Sequence, residues 1–240
     1  MAGCVLGAGV SALASVRQLS VRYQGTEALS GIDGQFERGG LYAVVGANGA
    51  GKSTLLKAML GLVPLAGGTV ELHLPRARIA YLPQQCEIER SFPMLARDCV
   101  LLGAWPRAGL FARIAGDLEA RVDQALAAVG MAQLAHRPIA ALSAGQFQRL
   151  LFARLMVQDA ELLLLDEPFN AVDAATTALL LSLIHEWHGQ GRTVVAVLHD
   201  HAQVRAHFPQ AVLLARRLLA WGDTARVLGA DHHEQVRDGD

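Results

Sequence analysis

A glycine-rich loop between a predicted strand and a predicted helix constrains the fold of this chain more than any other feature. Residues 46–54 read GANGAGKST and fit the pattern G-x-x-x-x-G-K-[ST]. The preceding run, residues 41–45, favours a strand, while residues 53–60 have the pattern of a helix that stops at Gly61. Glycines in such a loop let backbone N–H groups turn inward around an anion, and the helix N-terminus adds partial positive charge. We therefore predict a phosphate-binding loop made of Gly46, Asn48, Gly49, Ala50, Gly51, Lys52, Ser53 and Thr54.

Two residues of this loop have predicted chemical roles. The ammonium group of Lys52 is expected to reach the β- and γ-phosphates of a nucleotide, and the hydroxyl group of Ser53 to ligate Mg²⁺. The alternative is a glycine-rich turn that happens to precede a lysine. The strand before the loop and the helix after it favour the phosphate-binding interpretation.

A second motif places two carboxylates at the end of a strand. Residues 162–165 are four leucines, and Asp166 and Glu167 follow them directly. The carboxyl ends of strands in a parallel sheet line the ligand crevice, so Asp166 is expected to face the Mg²⁺ held by Ser53. Glu167 can then orient or deprotonate an attacking water. The alternative, an ordinary acidic pair on the surface, is less consistent with four preceding leucines.

The order of the remaining patterns predicts an α/β fold. Residues 14–23 alternate apolar and polar, as in a half-buried antiparallel strand, and residues 91–157 favour helices broken by Gly and Pro. Strand and helix patterns then alternate up to about residue 214, which indicates a mostly parallel sheet. We predict a P-loop NTPase core (residues 14–90 and 158–228), an antiparallel β N-terminal subdomain, an inserted helical lobe (91–157) and a tail (229–240).

Composition excludes some classes of protein. The formal net charge is −1, so we do not expect a nucleic-acid-binding surface, which would need an excess of Lys and Arg. Cys4, Cys86 and Cys99 lack metal-ligand spacing and are expected to be free thiols in a reducing cytosol. The N-terminal apolar run, residues 1–14, has no basic region and is too short to cross a bilayer.

Further motifs resemble those of the ABC transporter ATPases. Residues 142–146 read LSAGQ, followed by FQRLLFAR, which is similar to the signature segment of that family. Gln84, Asp173 and His199 lie in motifs similar to the family's and in the same order, and Tyr23 stands where the family places an aromatic that stacks on adenine. The resemblance covers residues 15–228. The sequence departs from the family pattern at two positions. Ala144 stands where the signature segment commonly has a second Gly, and Ala47 where the phosphate-binding loop commonly has a Pro.

The resemblance implies specific roles on the side of the nucleotide that this chain itself binds. Glu167, His199, Gln84 and Lys52 would be the catalytic residues, with His199 contacting the γ-phosphate and positioning the water with Glu167. Gln84 would sense the γ-phosphate and join Ser53 and Asp166 around Mg²⁺. The cofactors are therefore expected to be ATP and Mg²⁺.

The resemblance also implies a second face, supplied by another copy of the chain. In the family the signature segment completes the site of the opposite subunit, so Ser143, Gly145 and Gln146 would contact the ATP of a head-to-tail partner. Ser143 is a predicted helix N-cap, and Gly145 would let the backbone approach a phosphate closely. Asp173 would lie at the dimer seam.

Two segments resemble one branch of the family. Residues 91–103 and residues 167–173 are similar to bacterial importers of zinc and manganese, which pair the ATPase with a membrane permease and an extracytoplasmic metal-binding protein. The chain would then lie in the cytoplasm, peripherally on the inner face of the cell membrane. Importers of haem, siderophores and cobalamin share much of this pattern and stay an alternative. A non-transport ATPase acting on nucleic acid or ribosomes would need a basic surface, a coiled-coil insertion or a duplicated core.

Several histidines suggest a metal site in this chain, and each also has a simpler interpretation. His232 and His233 near the C-terminus can belong to a solvated polar tail, which we favour because adjacent histidines lack the spacing of a structural site. His185 and His188 lie three apart on a predicted helix, where shared ligation is geometrically allowed. We expect these two histidines simply to decorate the helix surface.

Overall fold

A small antiparallel sheet forms the N-terminal part of the protein. The computed structural model describes residues 12–85, 88–105 and 116–229, so Cys86 and the predicted tail with His232 and His233 lie outside the described residues. Strand β1 (Ala12–Tyr23) pairs with β2 (Thr26–Glu37) on one side and with β4 (Gly67–Leu72) on the other. The turn between β1 and β2 holds Gln24 and Gly25, both at positive φ, as a tight hairpin of right-handed twist requires.

The second sheet has six strands, and its five parallel strands carry the functional loops at their carboxyl ends. Its order is β5-β6-β7-β3-β8-β9, and only the edge strand β9 runs antiparallel. The strands are β3 (Leu41–Val45), β5 (Ile79–Leu82), β6 (Leu162–Asp166), β7 (Thr193–Val197), β8 (Gln210–Leu214) and β9 (Leu218–Asp223).

Helices cover both faces of this sheet. The described helices are α1 (Lys52–Met59), α2 (Ala96–Leu101), α3 (Gly116–Ala128), α4 (Ala144–Gln158), α5 (Ala174–Gly189), α6 (His201–His207) and α7 (Thr224–Val227). Short 3₁₀ turns occur at Arg76–Arg78, Leu102–Ala104, Ala132–Leu134 and Ile139–Ala141. Helices α2, α3 and α4 lie between β5 and β6 in the sequence. Within the described ranges no helix is long and apolar enough to cross a membrane.

The apolar core is divided by the parallel sheet. Leu163 and Leu165 of β6 face the side where α2 to α6 pack, whereas Leu162 and Leu164 face the antiparallel sheet and α1. Side chains of a strand alternate between its two faces, so a strand covered on both sides must be apolar at every position. This explains why the four leucines of β6 are buried and why the first polar side chain appears where the strand ends.

The predicted fold class is confirmed. The mostly parallel sheet, the antiparallel N-terminal sheet and the helices between β5 and β6 are all present. Strand β2 spans Thr26–Glu37 although its sequence does not alternate regularly. Gly31 and Gly34 break its alternation, and at Gly34 a Cβ would lie 2.2 Å from the ring of Trp221, so packing rather than β propensity selects this glycine.

Candidate nucleotide-binding site

The loop between β3 and α1 is shaped by two glycines that other residues could not replace. Gly46 has φ 149°, and a Cβ there would come 2.2 Å from the carbonyl oxygen of Leu214. Gly51 has φ 93°, and a Cβ there would come 2.6 Å from the carbonyl oxygen of Ala28 in β2. Both sheets therefore press against the loop, and it closes tightly only because these positions carry no side chain.

Helix α1 begins without a side-chain cap. Its N-cap residue is Gly51, and no side chain accepts a hydrogen bond at this end. The first N–H groups of a helix have no partner within the helix, and together with the helix dipole they favour a bound anion. The start of α1 can therefore hold phosphate oxygens, as the sequence motif predicts.

The side chain of Lys52 points into the loop. It is only 5% exposed, and its Nζ atom donates to the carbonyl oxygens of Gly46 at 2.9 Å and Ala47 at 2.8 Å. Burial lowers the pKa of Lys52, while the nearby carboxylates of Glu167 and Asp166 act in the opposite direction. The ammonium group is thus held inside the loop, close to two carboxylates, where it can pair with phosphate oxygens.

Oxygen atoms suited to Mg²⁺ converge beside Lys52. The buried carboxylate of Asp166, at the end of β6, accepts a hydrogen bond of 2.9 Å from the Ser53 hydroxyl. The Nε2 atom of Gln84 lies 3.3 Å from the same hydroxyl oxygen. Hydroxyl, carboxylate and amide oxygens are the hard ligands that Mg²⁺ prefers, so this donor set fits the ion. For Gln84 to contribute, its amide must turn so that Oε1 replaces Nε2.

Glu167 is the centre of a second group of contacts. Its backbone has φ 50°, an uncommon value for a residue with a side chain. Its Oε1 atom accepts from Gln84 Nε2 at 2.8 Å and lies 2.8 Å from Nε2 of His199, and its Oε2 atom accepts from Asn170 Nδ2 at 3.1 Å. Side chains of three residues therefore fix the orientation of this carboxylate. A carboxylate that activates a water needs such a fixed orientation.

An open cleft of about 620 Å³ lies beside this carboxylate. Glu167, Asn170 and His199 line it, together with Asn48 of the glycine-rich loop and Gln203 of α6. The cleft therefore joins the tip of the loop to the Glu167–His199 pair, and a reacting phosphate and water can lie between them.

The remaining candidate residues lie on other elements. Tyr23 ends β1 and is 45% exposed, so its ring face is accessible. Ser143 caps α4, where its hydroxyl accepts from the Gln146 N–H at 3.2 Å and its own N–H donates to Gln146 Oε1 at 3.0 Å. The structure thus gives Gln146 a capping role at this helix end. Gly145 follows on the first turn of α4 and is partly buried.

Asp173 has a local structural role as well. Its carboxylate caps α5 by accepting from the Thr176 N–H at 2.6 Å, and this hydrogen bond lowers the pKa of Asp173. His185, which the sequence pairs with His188 on one helix, instead lies with its Nε2 atom 3.2 Å from Nδ1 of His207 in α6. Within the described part of the chain, no group of three or more His, Cys, Asp and Glu side chains could hold a metal ion.

Three polar residues near the site were not predicted from the sequence. Asn170, three residues after Glu167 in the sequence, donates a hydrogen bond to its carboxylate. Gln85 and Gln148 form a partly buried pair, in which Gln85 Nε2 lies 2.7 Å from Gln148 Oε1. A glutamine among the apolar residues Phe147, Leu150 and Leu151 of α4 is a signal that could have identified Gln148, because a polar group on a buried helix face needs a partner.

The sequence matches the family model of ABC transporters over residues 29–170. It is 40% identical over 213 residues to the manganese transport system ATP-binding protein MntB of Listeria innocua, covering 87% of this chain and 89% of that protein. It is 37% identical over 229 residues to the zinc transport system ATP-binding protein TroB of Treponema pallidum, covering 93% and 86%.

The solved structures agree with this assignment. One of them, a metal-chelate type ABC transporter in an inward-facing conformation, superposes with a TM-score of 0.82 at 31% identity, covering 94% of this chain and 89% of that one. Family, relatives and fold all agree on an ATP-binding domain of an ABC transporter. The chain belongs to the ABC transporter family as an ATP-binding domain, and it is an ATPase.

Proposed function

We propose that this chain is the ATP-hydrolysing subunit of a bacterial ABC importer, in which a head-to-tail homodimer couples Mg-ATP turnover to the uptake of a metal ion, zinc or manganese. The observation that carries the proposal is the joint similarity to a manganese and a zinc transport protein over most of the chain. The residues gathered around Glu167 supply the chemistry.

Binding of the nucleotide is assigned to the loop and its two neighbours. The N–H groups at the start of α1 and the ammonium group of Lys52 hold the β- and γ-phosphates. Ser53, Asp166 and Gln84 hold Mg²⁺, which neutralises charge on the phosphates when it is bound. The exposed ring of Tyr23 is assigned to stack on adenine, and Thr54, on the first turn of α1, is assigned to the phosphates.

Hydrolysis is assigned to the contacts of Glu167. Its carboxylate orients the attacking water and takes its proton, while the imidazole of His199 positions the same water and contacts the γ-phosphate. Gln84 contacts Glu167 at 2.8 Å and lies 3.3 Å from the Ser53 hydroxyl, so it links the hydrolytic group to the metal-binding group. This link supports its role as a γ-phosphate sensor.

A second copy of the chain completes the site. Ser143 is exposed, and a Cβ added at Gly145 would meet Thr176 Oγ1 at an ordinary 3.7 Å. Nothing within the described chain thus requires glycine at this position, which supports a role in close approach by a group from outside, the ATP of the partner copy. Asp173, exposed at the start of α5, is assigned to the seam between the copies.

An apolar patch on the helical segment is assigned to the membrane permease. Phe92 is 58% exposed, Trp105 56%, Leu102 38% and Leu95 37%, so large apolar side chains are accessible on one stretch of the chain. Met94 lies between Phe92 and Leu95 in the sequence but packs against the core. Exposed apolar surface of this kind is typical of docking sites. When bound to the permease, the protein would lie in the cytoplasm on the inner face of the cell membrane. An extracytoplasmic metal-binding protein would be an indirect partner, and we expect no nucleic acid as a partner.

A second candidate cargo is a metal chelate such as haem, a siderophore or cobalamin. The observation in its favour is the 31% identity to a metal-chelate type transporter. The similarity to the zinc and manganese proteins is greater and covers a comparable share of the chain, so we favour free metal ions.

Deletion of the gene separates these cargos. We expect the deletion strain to grow poorly in chelated medium and to recover when zinc, or manganese, is restored as the single added metal. The gene carried on a plasmid should restore growth, whereas the Lys52→Ala version should not. Normal growth without zinc and manganese, together with loss of haem or cobalamin use, would show that the cargo is wrong while the ATPase assignment stands.

A further inference from the structure

Gln148 is a buried polar residue with both ends of its amide engaged. It lies on α4, is 1% exposed and has apolar neighbours along the helix at Phe147, Leu150 and Leu151. Its Oε1 atom accepts from Gln85 Nε2 at 2.7 Å, and its Nε2 atom donates to the carbonyl oxygen of Pro168 at 2.6 Å. Only the amide nitrogen can donate to a carbonyl, so the contact with Pro168 fixes which way the amide group faces.

The two hydrogen-bond partners of Gln148 each follow a residue of the hydrolytic group directly in the sequence. Pro168 follows Glu167, whose backbone has the uncommon φ of 50°, and proline itself fixes φ. Gln85 follows Gln84, which donates to the Glu167 carboxylate at 2.8 Å. The Gln148 side chain therefore braces both the backbone that carries Glu167 and the segment that carries its hydrogen-bond donor.

The same side chain is connected to the signature segment. Gln148 lies four residues after Ala144, the first residue of α4, and Gln85 Nε2 also reaches the Ala144 carbonyl oxygen at 3.3 Å. The start of α4, the loop after β5 and the loop after β6 are thus joined through one buried amide. Buried, fully satisfied networks of this kind hold their members in a single arrangement.

We propose that Gln148 is a positioning residue for ATP hydrolysis, which holds Glu167 through Pro168 and Gln84 through Gln85. The proposal rests on the hydrolytic role given to Glu167 above. Gln148 is buried and is not among the residues that line the cleft, so it acts by keeping the Glu167 carboxylate aimed.

The first test is Gln148→Met, which keeps side-chain length in a buried position but removes both hydrogen bonds. We expect kcat to fall by about ten-fold, because small displacements of a catalytic group are costly. The KM for ATP and the affinity for ADP should stay unchanged, because the loop and Lys52 are not involved. An unchanged kcat in a folded variant would overturn the proposal.

The matched control is Gln158→Met at the other end of the same helix. Gln158 also donates its amide to a backbone carbonyl, that of Ile79, at 2.8 Å, but it is not connected to Glu167 by this network. Both variants should lower the melting temperature, and only Gln148→Met should lower kcat. Equal losses of kcat in the two variants would show that a general loss of stability is responsible.

A double-mutant cycle tests whether Gln148 acts through Glu167. Glu167→Gln alone should lower kcat by about a hundred-fold or more. Adding Gln148→Met to it should cause little further loss, because the group that Gln148 positions is already removed. A further ten-fold loss in the double variant would overturn the proposal. If Glu167→Gln keeps near-normal turnover, the function assigned to Glu167 fails instead.

The conservative variant Gln148→Glu gives an independent readout from its pH profile. A neutral carboxyl group can donate to the Pro168 carbonyl and accept from Gln85, whereas an ionised one cannot donate, and burial favours the neutral form. We expect kcat relative to the native protein to rise as pH falls from about 8.5 to about 6.5. If the ratio of kcat in Gln148→Glu to kcat in the native protein does not change with pH while the variant stays folded, the positioning role is contradicted.

Discussion

The Nε2 atom of His199 lies 2.8 Å from the Oε1 atom of Glu167. The two residues follow β7 and β6 closely, and these strands are neighbours in the parallel sheet. His199 is more exposed than Glu167, with side chains 44% and 17% accessible, so the imidazole forms the outer side of the pair and the carboxylate the inner side. A water that approaches from the cleft therefore meets the His199–Glu167 pair, which is positioned by the ends of two neighbouring strands rather than by a flexible loop.

Lys52→Ala should abolish hydrolysis, chiefly by weakening the hold on the β- and γ-phosphates. The ammonium group of Lys52 is held inside the loop, and we expect turnover to fall by about a hundred-fold or more when this charge is removed. ATP affinity and steady-state hydrolysis measure the effect. Lys57→Ala on the same helix is the control and should remain active. Near-normal turnover of Lys52→Ala would remove the loop from the mechanism.

The contact between His185 and His207 should make stability depend on pH. Burial, together with nearby His207 and His188, lowers the pKa of His185 below its ordinary 6.5. The folded protein then binds fewer protons than the unfolded chain between the lowered value and 6.5, so the free energy of unfolding falls as pH drops through this window. The destabilisation is absent at higher pH.

Melting temperatures measured between about pH 7.5 and about pH 5.5 test this dependence. His185→Gln should flatten the fall in melting temperature, whereas His136→Gln, an exposed histidine outside this group, should leave it in place. The same slope in His185→Gln and the native protein would show that acid stability is set elsewhere.

Short-range motifs explain what the sequence predicted correctly. The strand, glycine-rich loop and start of α1 lie within about twenty residues, so pattern and chemistry coincide locally. The end of β6 was equally visible, because a fully buried strand must be apolar until it reaches the crevice. Ser53 and Asp166 are far apart in sequence, yet the rule that carboxyl ends of parallel strands share one edge predicted that Asp166 faces an ion held by Ser53, and the two side chains lie 2.9 Å apart.

Long-range polar contacts explain what was missed. Gln85 and Gln148 are 63 positions apart, and the sequence pattern around each of them does not identify which residue is its partner. The contact between Gln85 and Gln148 depends on how α4 packs beside β5 and the loop after β6, which local propensity does not determine. The capping roles of Gln146 and Asp173 are similar, since the sequence suggested nucleotide or dimer contacts and the structure adds a helix end that each one stabilises.

The apolar patch gives a prediction about assembly with the membrane permease. Phe92→Asp combined with Trp105→Asp should impair assembly and transport, because a charge in an apolar contact is left without water or a partner. ATP hydrolysis of the isolated protein should change little. Crosslinking from residue 92 to the permease and copurification measure the effect.

The control for the patch is an apolar side chain elsewhere. Leu62 is 61% exposed and lies in the loop after α1, outside the patch. Leu62→Asp should therefore assemble and transport normally. If the double variant also assembles and transports normally, the apolar patch is not a docking surface.

Glu167→Gln should form a homodimer that persists in the presence of ATP. Lys52, Ser53 and Asp166 lie on one side of the nucleotide, while Ser143 and Gly145 are assigned to the other copy, so ATP becomes part of the interface and favours dimers by mass action. Hydrolysis removes the γ-phosphate that both copies hold, which should make the native dimer transient. The amide keeps size and hydrogen bonding but removes the base, so it slows hydrolysis far more than binding.

Size-exclusion chromatography of Glu167→Gln with Mg-ATP, with Mg-ADP and without nucleotide gives the readout. The protein should elute at twice the monomer mass only with ATP. Ser143 is exposed at the start of α4, so adding Ser143→Arg should block the partner's nucleotide without disturbing the core and should cancel the shift. Nucleotide affinity must be measured in parallel, because a monomer that cannot bind ATP is uninformative about the interface. A variant that binds ATP normally but stays monomeric at saturating ATP would contradict the shared site, since the same contacts that hold the γ-phosphate are expected to hold the two copies together.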